Sequence, residues 1–238
     1  MKIISFLLIA VLSFNQVISV KVNVEENLKD AEKKINVSKN EIENVIRDIN
    51  KYRSNLQFMF NNKITVRQEQ NAKTIRCMTD LSLEEIRTFV YDARTKGKNP
   101  TKCYQNSQAI ARIISNNGYS SLDKCVKEAK VFIEQVQTTI DDIITTGQTL
   151  IAELDYIFSD CHNRLPKIKL HCVTRKIKKH ELYIKNFNSS ITSMRTTGDT
   201  AFHQGFLHGI ACYNNVVVKT REGVRANVAE AEYCINKS

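Results

Sequence analysis

Apolar residues recur every three or four positions through most of this chain, and that spacing limits its fold more than any other feature. The first run is Val24, Leu28, Ala31, Ile35, Ser38, Ile42, Val45, Ile49, Tyr52, Leu56 and Met59, with Ser38 as its one polar interruption. The second is Leu122, Val126, Ala129, Ile133, Val136, Ile140, Ile143, Gly147, Leu150, Leu154 and Ile157. A looser third run takes Val173, Ile177, His180, Ile184, Phe187, Ile191, Met194 and Ala201, and a last stretch takes Tyr213, Val217, Val224, Val228 and Ala231. Steps of three and four put one stripe of each helix against a partner helix, as in a coiled coil. No stretch alternates apolar and polar residues long enough to claim a strand. Seven Gly and two Pro supply few turns for a β-sandwich. The expectation is an all-α chain, an elongated antiparallel helical hairpin or bundle with coiled-coil heptads.

Local signals subdivide these runs. Ser82-Leu83-Glu84-Glu85 has the capping-box pattern and is expected to open a helix reaching about Ala93. Arg94 to Pro100, containing Gly97, reads as a loop, and Pro100 suits the start of the next helix. That helix is expected to stop at Asn116-Asn117-Gly118. Gly147 and Gly198 interrupt their runs; a glycine at position 147 either weakens the helix or lets another backbone come close.

The first residues set the compartment. Met1-Lys2 precedes an apolar run from Ile3 to Phe14, and a cut after Ser19 has light residues at its −3 and −1 positions. This is the pattern of a secretory signal peptide, 1–19. Twelve apolar residues are too few to cross about 30 Å of hydrocarbon. The expected organisation is therefore a signal peptide, an N-terminal heptad arm over 20–72, and a disulfide-linked helical domain over 73–238. Sequons at Asn36 and Asn188 are candidate glycosylation sites in that compartment; Asn236 sits too close to the last residue to be one.

Seven cysteines in an oxidising compartment read as disulfides with one left over. Their positions are nested. Cys161 and Cys172 are centred on 166.5, while Cys125 with Cys212 and Cys103 with Cys234 are both centred on 168.5. Antiparallel helices bring residues equidistant from a turn face to face. The arms between the inner two pairs are 36 and 40 residues, roughly 54 and 60 Å as helix, close enough to be pinned at both ends. Six cysteines allow fifteen pairings. Length matching selects Cys161–Cys172, Cys125–Cys212 and Cys103–Cys234, and leaves Cys77 unpaired or intermolecular. A zinc site from Cys161, His162, His171 and Cys172 is the alternative, but it lacks the close cysteine pairs of most structural zinc sites.

Cys172, Cys212 and Cys234 on long polar helices behind a signal peptide resemble the TsetseEP-domain proteins of insects. The segment from Cys212 to Cys234 is similar to that family's C-terminal helix, and Cys103 to Cys125 fits its opening part. The resemblance covers roughly residues 75–238. It implies secretion, a helical disulfide scaffold and no catalytic residues. The Glu-Pro tail of the namesake has no counterpart in these 238 residues.

The residues agree on the lack of catalytic machinery. No nucleophile elbow, zinc-protease helix or phosphate loop occurs, and His203 and His208 are five apart, off the spacing of a helical metal pair. No cofactor is expected. Asp141 and Asp142 are adjacent and point in different directions, as on a solvated face. Charge is the sharpest local feature. The whole chain carries a net +10, and from Cys161 to His180 it has no acid but seven cations: Arg164, Lys167, Lys169, Arg175, Lys176, Lys178 and Lys179. On a hairpin these form the tip. The tip is either simply solvated or a docking site for an anionic glycan, lipid headgroup or acidic protein. Nucleic acid is not an expected partner. A homodimer through Cys77 and the N-terminal heptads is a further expectation. Two other readings are a secreted host- or immune-modulating factor of a parasitoid and a carrier of small apolar ligands; a tight heptad seam leaves the carrier little cavity.

Overall fold

The protein is described here as a computed structural model that covers residues 2–162 and 165–238, with side chains from residue 23 onward. Met1, Asn163 and Arg164 lie outside the described residues, as do the side chains of the segment read as a signal peptide, 1–19. The described residues form three helices, α1 (Lys2–Thr95), α2 (Thr101–Asp160) and α3 (Pro166–Lys237), and no strand. No described helix is long and apolar enough to cross a membrane.

Six cysteines pair as Cys103–Cys234, Cys125–Cys212 and Cys161–Cys172, with Cα atoms 5.8, 5.7 and 6.0 Å apart. Cys77 stays free and exposed. The chain divides into two compact units. The first joins Met1–Arg53 to Thr138–Thr196, and the second joins Ser54–Gln137 to Thr197–Ser238. All three helices contribute to each unit, so the expected boundary after residue 72 falls in the middle of α1, where no break occurs.

In the first unit, Ile35, Ile42 and Ile49 of α1 are 5%, 1% and 0% exposed. They share the core with Ile140, Leu150, Leu154 and Ile157 of α2 and with Val173, Phe187, Ile191 and Met194 of α3. The heptad seam expected to join two copies is therefore used within the chain. Lys39 pairs with Asp155, and Arg53 with Asp141, holding α1 to α2. The Tyr52 hydroxyl donates to the Arg195 carbonyl at 3.0 Å, tying α1 to α3. At Gly147 the space is taken by the side chains of Ile46 and Phe187, not by another backbone.

In the second unit the buried row of α1 changes phase. Met59 is 51% exposed, and Phe60 and Ile64 are buried instead. Two successive steps of four, from Leu56 to Phe60 to Ile64, act as the insertion that resets a heptad stripe. The Phe60 ring meets Phe202 edge to face at 5.7 Å. The Tyr213 hydroxyl donates to the Ile64 carbonyl at 3.2 Å, and burial, with Asp123 nearby, pushes its pKa up to about 12. A Cβ on Gly205 would lie 2.9 Å from the Ala129 carbonyl oxygen, so α3 approaches α2 there more closely than any side chain allows. Ile86, Val90, Ala93, Cys103, Ala231 and Ile235 close the far end of this unit's core.

Two expected boundaries do not occur. Ser82 lies within α1, buried, and its hydroxyl donates to the Thr79 carbonyl instead of capping Glu85. Asn116-Asn117-Gly118 lies within α2, where a Cβ on Gly118 would meet Ile75 at 2.9 Å. Packing overrides the local stop signal there. The α1–α2 turn falls where the sequence places it. Gly97 adopts φ 78°, the Lys98 amide donates to Ala93 and the Gly97 amide to Arg94, which is a Schellman closure. The Pro100 carbonyl then accepts from the Tyr104 amide at 3.0 Å to start α2.

Candidate functional site

The basic segment straddles the α2–α3 turn in the first unit. The Cys161–Cys172 bridge staples that turn, and Pro166 opens α3 with its φ already set for helix. Arg164 lies outside the described residues. The other six cations, Lys167, Lys169, Arg175, Lys176, Lys178 and Lys179, all stand on the first four turns of α3.

They do not form a single patch. At about 100° per residue, Lys169 and Lys176 turn toward α2. The Lys169 ammonium sits 5.5 Å above the Phe158 ring, and Lys176 pairs with Asp160. Lys179 lies 5.4 Å from the Tyr183 ring centre. Lys167, Arg175, Lys178 and Lys179 are exposed. Cations in the first turn of a helix oppose its dipole, since the unbonded amides there are already positive. The first turn of α3 holds no acid to offset them. Phe158 and Asp160 offset Lys169 and Lys176, while Lys167, Arg175, Lys178 and Lys179 leave a positive field facing solvent.

Hydrophobic spacing alone did not show a second row on this helix. Ile168, His171, Arg175, Lys178 and Leu182 follow steps of three and four, on the side away from the buried row of Val173, His180 and Phe187. All five are exposed. Ile168 is 48% and Leu182 57% exposed, and Leu165 in the turn is 72% exposed. The outward row thus has aliphatic ends and a cationic middle. The signal was present in the sequence as heptad spacing of mixed character, which a search for purely apolar stripes passes over.

His180 belongs to the inward row. Its Nδ1 is buried without a hydrogen-bond partner, and the Glu153 carboxylate stands 3.5 Å away. Its ring meets Tyr183 edge to face at 5.7 Å. Burial lowers its pKa below the usual 6.5; Glu153 pulls it back up, and Lys179 and Lys176 push it down. Between the lowered folded value and the unfolded one, the unfolded chain binds more protons, so stability falls as pH drops below about 6.5. The thermal midpoint of the native protein is expected to fall from neutral pH toward pH 5 more steeply than that of His180→Phe. Equal slopes would show that His180 does not carry the effect.

The remaining candidates are scattered. Asn36 and Asn188 are exposed, each on a helix. Cys161 and Cys172 are bonded to each other, so neither is free to bind zinc. His208 stacks on Phe132 at 5.6 Å and His203 lies against Phe202, and the described residues hold no cluster with the makings of a metal site. Asp141 pairs with Arg53, and Asp142 is exposed. A groove of about 450 Å³ in the second unit is lined by Lys124, Glu128, Lys219 and the Cys125–Cys212 bridge. In the first unit a groove of about 440 Å³ is lined by Asp30, Lys33, Lys34, Lys178 and Glu181. The same grooves also carry apolar side chains, Ile114 and Val216 in the former and Ala31, Leu170 and Ile177 in the latter.

No family model matches the chain, and neither a curated protein nor a solved structure matches it.

Proposed function

We propose that this is a secreted, non-catalytic interaction protein that docks on anionic surfaces through the first turns of α3. The observation that carries the reading is the exposed set Lys167, Arg175, Lys178 and Lys179, in a stretch from 161 to 180 that contains no acid. Three disulfides fit an oxidising compartment, and the signal-peptide pattern of 1–19 gives the route there. The resemblance to the insect TsetseEP-domain proteins rests on the cysteine spacing and supports the same reading. Action as a host- or immune-modulating factor of a parasitoid would use the same docking step, with a different source and target organism.

Retention on a polyanion tests it. The mature protein is expected to bind heparin at low salt and to elute as the salt concentration rises. Arg175→Gln, Lys178→Gln and Lys179→Gln together are expected to shift elution to markedly lower salt, because exposed charges act over about 8–10 Å at physiological ionic strength. The same three changes at Lys96, Lys102 and Lys127 should shift it less. Equal shifts from both sets would mean that net charge alone drives retention, and the docking face would be rejected.

Cys77 supports a second interaction. It is the free, exposed thiol of the set, and in an oxidising compartment a thiol of that kind joins copies or reacts with small thiols. A Cys77→Ser protein that runs as a monomer without reductant, beside a wild-type dimer, would establish the bridge; a wild-type monomer would exclude it.

A further inference from the structure

We propose that the anionic surface is a lipid bilayer, and that the outward row of α3 lies on it. This rests on the docking reading above and goes one step further, to the class of partner. The deciding observation is the aliphatic side chains that share the row with the cations. Leu165, Ile168 and Leu182 are 72%, 48% and 57% exposed. Scattered exposed apolar residues are ordinary on a protein surface. These three bracket Arg175, Lys178 and Lys179 at the start of one helix, and Ile168 and Leu182 fall on the same row as Arg175 and Lys178, with Lys179 beside it. A sulfated glycan has no use for an aliphatic side chain. A bilayer interface does: aliphatic groups enter the boundary between headgroups and acyl chains, while Lys and Arg reach back to the phosphates on their flexible stems.

The dimensions agree. From Ile168 to Leu182 the row rises about 21 Å, the length of a short interfacial helix. Disulfide Cys161–Cys172 and the buried Val173, His180 and Phe187 hold the opposite side of this helix in the first unit's core, so the row is presented already folded. Docking therefore requires no folding of the segment at the membrane, and its ordering cost is confined to a few side chains.

Vesicle flotation tests the proposal. The probes are phosphatidylcholine vesicles with and without phosphatidylserine, and heparin is run in parallel. The mature protein is expected to float with the phosphatidylserine vesicles and not with phosphatidylcholine alone. Leu165→Ser, Ile168→Ser and Leu182→Ser together are expected to weaken vesicle binding about tenfold or more while leaving heparin retention as in wild type. Arg175→Gln, Lys178→Gln and Lys179→Gln together are expected to weaken vesicle binding roughly a hundredfold and to lower heparin retention as well. All six positions are exposed, so helix content by circular dichroism should not change in either variant. Vesicle binding by the serine variant equal to wild type would overturn the lipid proposal and leave the charge reading standing. Wild-type retention on heparin without vesicle binding would do the same and point to a glycan. Failure on both probes would remove the docking reading itself.

Discussion

Phe60→Ala is expected to lower the stability of the protein by about 3–5 kcal/mol, the usual cost of removing a buried aromatic ring. Phe60 is 1% exposed and sits edge to face on Phe202, in the second unit. Its ring also lies where Gly205 leaves space, with Cε2 3.1 Å from the position a Cβ would take. The removed ring leaves a cavity that the backbone contact between Gly205 and Ala129 prevents from closing. For a chain of this size the thermal midpoint should fall by roughly 6–20 °C. Phe58, two residues away, is 71% exposed, and Phe58→Ala should stay within about 0.5 kcal/mol of wild type. Thermal unfolding of the two variants reads the phase of α1 directly. A larger loss from Phe58→Ala would mean that the buried row does not shift at Leu56.

Loss of the Cys125–Cys212 bridge, by Cys125→Ser with Cys212→Ser, is expected to cost about 2–4 kcal/mol. The bridge spans 87 residues, so opening it restores much freedom to the unfolded chain. The Cys161–Cys172 bridge spans only 11. Its removal should cost less stability, yet loosen the turn that presents Leu165 and the start of α3. The expected result is a crossed pattern: the 125–212 double serine variant loses more in thermal midpoint, and the 161–172 variant loses more in polyanion retention. Equal losses of both kinds from the two variants would show that the turn bridge has no special part in binding.

The helical class and the cysteine pairing were legible because both follow from simple periodicity. Heptad spacing names the inner face of a helix, and antiparallel helices match residues at equal distances from their turn. Elements that depend on three-dimensional neighbours were not legible. Ser82 carries a capping signature that any helix start would share, but its hydroxyl already finds the Thr79 carbonyl inside a continuous helix. Gly118 looks like a stop, yet it is the lack of a side chain there that lets Ile75 pack against α2. The apolar triplet Phe58-Met59-Phe60 fits two helix phases, and only the packing of Phe60 on Phe202 chooses between them. Of the binding face, the cations could be read directly. Their partition between α2 and solvent could not, because it depends on Phe158 and Asp160 lying opposite Lys169 and Lys176.

The most direct test of the docking face is a lysine footprint. The mature protein is labelled with an amine-reactive reagent, with and without phosphatidylserine vesicles, and the modified lysines are located by peptide mass mapping. Lys167, Lys178 and Lys179 are expected to lose reactivity on the vesicles, while Lys96 and Lys102, also exposed, keep theirs. Protection of Lys96 and Lys102 with full labelling of Lys167, Lys178 and Lys179 would contradict the assignment and place the contact in the second unit.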